Sequence, residues 1–282
     1  MFALGLVCWL FNRDLEIAFN MLREKFAKKP AVAEANIKVI QAGYDYGANT
    51  HASVAHTYKV ESKTKKPGKY MDIMGNKATA YGFIAAAEKA GKRLFLGSYP
   101  ITPATDVLHE LSKHKSLGVT TVQCEDEIAG CASSIGASFA GALAVTSTSG
   151  PGVCLKSEAM NLAVITELPL VILNVQRGGP STGLPTKSEQ TDLLQALFGR
   201  NGESPMPVIA ATSPTNCFDA AYYASKMALE HMTPVVLLTD AFVANGSGAF
   251  KLPDLNDYPD ICPPYVTPEM AGSYTPYMRN PD

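Results

Sequence analysis

The apolar positions of this chain change period near residue 75. Ahead of that point, residues 14–28 carry Leu15, Ala18, Phe19, Leu22 and Phe26 at helical spacing. Pro30 opens a second predicted helix ending near Gly43, because proline is tolerated in a first helical turn. Residues 44–70 mix Gly, Thr, His and Lys without an apolar period. The stretch 1–70 thus predicts two helices and a basic tail, too little for a core of its own. From residue 76 onward, strand-like apolar runs alternate with amphipathic helices. Helices are predicted over 78–89, 104–111, 127–140, 155–165, 192–197 and 215–230, and strands over 94–96, 120–123, 142–146, 168–175, 208–211 and 235–239. Gly91 closes the first of these helices, and Ser213 followed by Pro214 opens the last. The run 168–175 is apolar at nearly every position, as a strand covered on both faces requires. The prediction is an α/β domain over 75–248 built on a doubly wound parallel sheet, followed by a Pro- and Asp-rich linker over 249–282 with no further element. In such folds ligands bind outside the carboxyl ends of the strands, which makes the residues after each strand the candidates for function.

Composition narrows the classes. The 282 residues hold 24 basic and 26 acidic side chains, a net charge of -2, with 46% hydrophobic and 18% charged residues. That is a globular composition, and its near-neutrality gives no electrostatic reason to expect nucleic acid or an anionic membrane as partner. The basic run Lys63, Lys65, Lys66 and Lys69 lies beside Pro67 and Gly68, and reads as a solvated linker. The apolar stretch 1–11 is shorter than the ~18–20 residues of a membrane span, and no Lys or Arg precedes it as in a signal peptide. A cytoplasmic location is therefore expected. Cys8, Cys124, Cys131, Cys154, Cys217 and Cys262 form no C-x-x-C pair, which argues against a zinc or cluster site and for reduced, buried thiols. His51, His56, His109, His114 and His231 share no metal spacing beyond His109 and His114 on one short helix, and are expected at the surface.

Chemistry gathers at the predicted strand ends. After the first strand, Tyr99-Pro100-Ile101-Thr102-Pro103 is a stiff turn that presents Thr102 at a helix start, as an anion contact or simply as the helix cap. After the second, Glu125-Asp126-Glu127 opens a helix. Acids there complement the helix dipole, but the small residues that follow (Ala129, Gly130, Ala132, Ser133, Ser134) would let a flat ligand or another backbone approach closely. A carboxyl group at the buried end of such a helix would be desolvated, which raises its pKa and suits it to proton exchange. After the third strand lies a hydroxyl and glycine loop, residues 146–152. It matches neither a nucleophile elbow nor a P-loop. After the fourth comes Gln176-Arg177-Gly178-Gly179-Pro180-Ser181-Thr182-Gly183. An Arg there is costly unless paired, either with a ligand carboxylate or phosphate or with a neighbouring acid.

Taken in order, Tyr99-Pro100-Ile101-Thr102-Pro103, Glu125-Asp126-Glu127-Ile128-Ala129-Gly130, Thr148-Ser149-Gly150-Pro151-Gly152 and the Gln176 to Gly183 segment resemble the alpha subunit of thiamine-diphosphate-dependent 2-oxoacid:ferredoxin oxidoreductases. The likeness is greatest to the 2-oxoglutarate type. It implies a pyrimidine-binding domain in which Glu127 bonds the N1′ atom of thiamine diphosphate. Tyr99, Pro100, Ile101, Ser149 and Gly150 would contact the cofactor, while Thr102 and Arg177 bind the 2-oxoacid carboxylate. Ser181, Thr182 and Lys187 are candidates for a second carboxylate. Coenzyme A would accept the acyl group and ferredoxin the electrons. This chain has no Gly-Asp-Gly segment and no cluster-binding cysteine motif, so magnesium and an iron-sulfur cluster are expected on a partner beta subunit. Residues 1–70 resemble the end of a gamma-type domain, and residues from Lys251 the start of a connection to a further domain. An apolar face within 1–26 that lacks its native support is expected to favour aggregation. The alternatives are a truncated, non-catalytic assembly module and an oxidoreductase for branched-chain 2-oxoacids. A generic nucleotide-binding protein is disfavoured, because no G-x-G-x-x-G follows a strand.

Overall fold

The computed structural model describes residues 1–50, 57–61, 66–275 and 278–279. Lys63, Lys65, His51 and His56 lie outside the described residues. Contacts divide the chain into two compact units, Met1–Pro67 and Gly68–Asp282.

In the first unit, the apolar stretch at the start of the chain forms α1 (Phe2–Leu10), a helix that the periodicity does not predict. It is followed by α2 (Leu15–Lys25), where Asp14 accepts a hydrogen bond from the Glu16 N–H, and by α3 (Pro30–Thr50). The last runs well beyond the stop expected at Gly43. Packing explains the difference. A Cβ on Gly43 would stand 2.0 Å from the Phe2 carbonyl oxygen, and one on Gly5 would stand 1.9 Å from that of Ile40. These glycines are contact points between α1 and α3, so tertiary approach overrides their poor helix propensity. Phe19, Leu22, Ile37 and Ile40 make a small core, while Ile17 and Met21 remain exposed.

The second unit carries the predicted sheet. Its strands are β2 (Leu94–Ser98), β3 (Val119–Gln123), β4 (Leu143–Thr148), β5 (Leu170–Gln176), β6 (Val208–Ala210) and β7 (Pro234–Asp240). They lie in the order β3-β2-β4-β5-β7-β6, with all pairs parallel. Side chains alternate across the sheet with a period of two. Leu143, Val145, Val171, Leu173, Val235 and Leu237 face the layer of α4 (Gly75–Lys89), α5 (Thr105–Leu111) and α9 (Asn216–His231). Ala144, Leu170, Ile172, Val236 and Leu238 face α6 (Glu127–Phe139), α7 (Gly150–Ile165) and α8 (Leu193–Phe198). Both faces are covered, which is why the central strands read as continuous apolar runs.

Two elements fall where the apolar pattern predicts linkers. β1 (Tyr70–Met74) pairs antiparallel with β8 (Ser247–Lys251), which follows the short α10 (Ala241–Asn245). Both strands are half exposed, with one buried residue each, and neither Tyr70–Met74 nor Ser247–Lys251 shows the apolar–polar alternation of a half-buried strand. The segment beyond β8 also packs. Ile261 is buried in the larger core, and Asp260 pairs with Lys89 at 2.7 Å.

Among the described residues, no helix is long and apolar enough to cross a membrane, and no group of His, Cys, Asp or Glu could hold a metal ion. All six cysteines are free thiols. Cys8, Cys131 and Cys217 are buried as expected, but Cys154 and Cys262 are exposed. His109 and His231 are exposed, and His114 is half-buried with its Nε2 3.3 Å from Glu110 Oε1.

Candidate functional site

β2 lies between β3 and β4, so the chain reverses its direction of strand addition at this point and the carboxyl ends of β2 and β4 frame a crevice. Part of the small-residue face of α6 is used by the protein itself. A Cβ on Gly97 in β2 would come within 2.4 Å of the Gly130 carbonyl oxygen, and Ser134 Oγ accepts a hydrogen bond from the Gly97 N–H at 3.1 Å. The close approach is thus between helix and strand backbone, and it brings the start of α6 over the end of β2.

That approach assembles one cluster. Tyr99, buried just beyond β2, shares a hydrogen bond of 2.8 Å between its hydroxyl and Thr148 Oγ1 at the end of β4. Glu127, first residue of α6, is within reach of the same phenol. Burial raises the Tyr99 pKa above the ordinary phenol range; the Thr148 hydrogen bond opposes this and the neighbouring Glu127 adds to it. The segment expected as a loop over 146–152 is the last residues of β4 followed by the first turn of α7, which begins at Gly150 rather than 155. Gly152 sits at the centre of the cluster: a Cβ there would stand 2.0 Å from Thr148 Oγ1, 2.3 Å from the Tyr99 hydroxyl and 3.0 Å from Glu127 Cγ. Asp126 does what an acid in a first turn commonly does, accepting the Ala129 N–H at 2.8 Å. Glu127 is left free of that duty. It is only half-buried in this chain, so the desolvation expected of it is incomplete here. Ser149 precedes α7 without capping it, and its buried hydroxyl has no hydrogen-bond partner. Pro100 is exposed, while Ile101 packs toward the core of the α4 layer.

A second cluster forms around Arg177, buried at the end of β5. No acid pairs with it among the described residues. Its Nη1 donates to the Thr102 carbonyl at 2.7 Å and its Nη2 to the Thr182 carbonyl at 2.8 Å, while Nε has no partner. Thr102 does not cap the next helix: α5 begins at Thr105, and Thr102 is an exposed residue whose carbonyl faces Arg177. Arg177 lines a cavity of about 650 Å³ together with Gly150, Ser181, Thr182 and Asp192. Lys187 is exposed on the stem of the same loop and does not line that cavity. Asp192, which lies beyond the reach of strand-end reasoning, accepts a hydrogen bond from Asn174 Nδ2 at 2.9 Å and lies against Gly150.

Lys156 is missed by the same reasoning. It is fully buried in α7, and its Nζ donates to Thr146 Oγ1 at 2.6 Å. A signal for it exists in the sequence, because Gly152, Val153, Lys156, Ala159, Met160 and Ala163 form one buried helical stripe.

The residues present fit the pyrimidine half of thiamine diphosphate. The first cluster offers a half-exposed carboxylate and an unpartnered buried hydroxyl beside a backbone with no room for a side chain, as a flat polar ring requires.

Comparison with known proteins identifies the family. Residues 86–281 match the family model described as pyruvate flavodoxin/ferredoxin oxidoreductase, thiamine diphosphate-binding. The chain is 54% identical over 280 residues to the 2-oxoglutarate oxidoreductase subunit KorA of Mycobacterium tuberculosis, covering 99% of this chain and 42% of the relative. It is 42% identical over 186 residues to the 2-oxoglutarate synthase subunit KorA of Archaeoglobus fulgidus, covering 66% of this chain and 52% of the relative. A solved structure of the 2-oxoglutarate:ferredoxin oxidoreductase from Magnetococcus marinus, with 2-oxoglutarate, coenzyme A and succinyl-CoA bound, superimposes with a TM-score of 0.80 at 35% identity, covering 93% of this chain and 45% of that one. The chain thus spans about half the length, or less, of the relatives it matches. Parallel sheet, strand-end cluster and family match agree that the chain belongs to the thiamine diphosphate-binding pyruvate flavodoxin/ferredoxin oxidoreductase family.

Proposed function

We propose that this chain supplies the pyrimidine-binding part of the alpha subunit of a 2-oxoglutarate:ferredoxin oxidoreductase, which converts 2-oxoglutarate and coenzyme A to succinyl-CoA and carbon dioxide and passes two electrons to ferredoxin. The observation that carries the reading is the convergence of Glu127, Tyr99 and Thr148 on the bare backbone of Gly152 at the switch point of the sheet. Names of relatives and the ligands of the Magnetococcus structure support the substrate class.

In this reading Glu127 holds a proton against the aminopyrimidine N1′, and the Tyr99–Thr148 pair keeps the carboxylate and the ring in register. The bound cofactor supplies the carbanion chemistry at the 2-oxo carbon. Arg177 and Thr102 bind the substrate carboxylate. The free Nε of Arg177 in a buried setting supports this, since a guanidinium left with an open donor is suited to an anion. Ser149 and Gly150, at the open end of α7, contact the cofactor. The diphosphate, its magnesium ion and an iron-sulfur cluster belong to a beta subunit, which would also complete the burial of Glu127. Residues 1–70 are the end of a gamma-type domain; the Mycobacterium match runs through them, whereas the Archaeoglobus match covers only 186 residues. The assembly works in the cytoplasm, where reduced thiols and ferredoxin coexist.

The test is co-production of this chain with its beta subunit, followed by viologen reduction in the presence of coenzyme A and 2-oxoglutarate, pyruvate or 2-oxoisovalerate. Turnover should be greatest with 2-oxoglutarate, and Glu127→Gln should lower it at least ~100-fold without blocking assembly, the scale of a lost general acid–base. Near-normal turnover in that variant would remove Glu127 from the role. Assembly without thiamine-dependent turnover would make the chain a non-catalytic module.

A further inference from the structure

Lys156 is hard to explain as packing. It is fully buried on the inner stripe of α7, where its neighbours on the stripe are Val153, Ala159 and Met160. A buried ammonium without a carboxylate partner costs several kcal/mol, and methionine would fill the same volume without that cost. Among the described residues no salt bridge involves Lys156. Its contacts all point toward the candidate site. Nζ donates to Thr146 Oγ1 at 2.6 Å and to the Ser147 carbonyl at 3.3 Å, both in the last half of β4, and lies 5.4 Å from the centroid of the Tyr99 ring. Tyr99 in turn bonds Thr148 and reaches Glu127.

We propose that Lys156 is a positioning residue of the pyrimidine site. From beneath the Tyr99 ring and the end of β4, its ammonium fixes the Tyr99–Thr148 pair beside Glu127. This rests on the reading of Glu127 as the proton partner of the cofactor. The groups that face the ammonium are Tyr99 from the end of β2, Cys124 ahead of α6, and Glu127 and Cys131 on α6. Glu127 is the carboxylate among them. Burial is the main reason the Lys156 pKa is lowered to about 8, and the nearby Cys131, Glu127 and Cys124 offset part of that shift. The ammonium therefore persists at neutral pH with little margin.

The experiment uses the assembled complex and three readouts: calorimetric binding of thiamine diphosphate, the pH profile of kcat/KM for 2-oxoglutarate, and thermal stability against pH. Lys156→Met should weaken cofactor binding about 10-fold at pH 7 and remove the alkaline fall of the profile near pH 8, where the wild-type chain loses the ammonium. The KM for 2-oxoglutarate should stay within about twofold. Folded wild-type chain sheds the Lys156 proton near pH 8, whereas the unfolded chain holds it to about 10.5, so wild type gains stability as pH rises between these values and Lys156→Met does not. Thr146→Val keeps the ammonium but removes its acceptor, and should produce the same cofactor effect at about threefold. If Lys156→Met leaves cofactor affinity and the alkaline limb unchanged, the proposal is wrong. If that variant does not assemble, an unchanged Thr146→Val overturns the proposal just as well. Glu127→Gln separates the two failures: normal turnover there rejects the site itself, whereas loss of turnover there with unchanged Lys156 and Thr146 variants rejects only the role of Lys156.

Discussion

The two helical layers that cover the sheet are built on different principles. The α4 and α9 layer packs alanines around a few large side chains, Phe83, Phe218, Tyr222 and Leu229, and on these two helices Tyr223 is the large apolar group left exposed. The α6 and α7 layer is also rich in small residues, but it buries a charge. Ser134, Ser138 and Lys156 are buried in it, and its outer surface exposes Ile128, Phe139, Leu155, Leu162 and Ile165. The first layer seals one face of the sheet. The second sets the α6 backbone against β2, which delivers Glu127 to Tyr99, and it leaves apolar surface uncovered. Stability and site chemistry are therefore separated by the plane of the sheet, and substitutions on the two sides should fail in different ways.

The largest effect on folding is expected from the first layer. Phe83→Ala removes a fully buried ring, and should lower the stability of the Gly68–Asp282 unit by about 3–5 kcal/mol. Chemical denaturation would measure it. If what remains folded still binds thiamine diphosphate with wild-type affinity, the separation holds; a selective loss of cofactor binding ahead of unfolding would break it.

Gly152 tests the second layer, where the expected sign is opposite to the usual one for a helical glycine. Replacing Gly by Ala inside a helix normally stabilises by roughly 0.5–1 kcal/mol. A Cβ on Gly136 of α6 would meet nothing within 4 Å, so that position should follow the rule. At Gly152 the same methyl group collides with Thr148 Oγ1 and the Tyr99 hydroxyl. Gly152→Ala should therefore destabilise by about 1–3 kcal/mol, the usual penalty of overpacking, and should weaken cofactor binding as well. Equal thermal shifts for the two variants would mean that the Gly152 contact is not a constraint.

What the sequence reveals and what it conceals follow the same division. Strands β5 and β7 are legible because burial on both faces makes them almost continuously apolar, and β4 because it opens on Leu143, Ala144 and Val145. β1 and β8 are not, since each buries a single residue and they pair across nearly the whole unit. Gly43 reads as a helix stop and Gly150-Pro151-Gly152 as a loop, yet each glycine lies within a helix at a close contact that only the partner segment explains. Glu127, Tyr99 and Arg177 are legible because they directly follow strands. Thr102 does lie near Arg177, but for a different reason than expected, its backbone carbonyl and not a helix cap making the contact. Lys156 escapes notice because it stands a turn and a half inside α7, where the strand-end rule does not look.

The smallest effect on the chain alone, and the sharpest on the comparison, is expected at Ile165. Its side chain, at the end of α7, is 74% exposed, close to Leu162 along the helix. A polar replacement at an exposed position away from caps and special backbone usually changes stability by no more than about 0.5 kcal/mol. Ile165→Glu should therefore melt like the wild-type chain. Large exposed apolar patches mark interaction surfaces, and the exposed apolar side chains of this layer lie on α6, which carries Glu127, and on α7, which follows Ser149. If the beta subunit seats on that surface, a buried unpaired carboxylate in the interface should weaken assembly by at least tenfold, as read by sedimentation of the co-produced subunits. Cofactor binding would then fall in step with the loss of complex, with Glu127 and Tyr99 untouched. Unchanged assembly would place the partner elsewhere and leave the exposed side chains of α7 as ordinary surface.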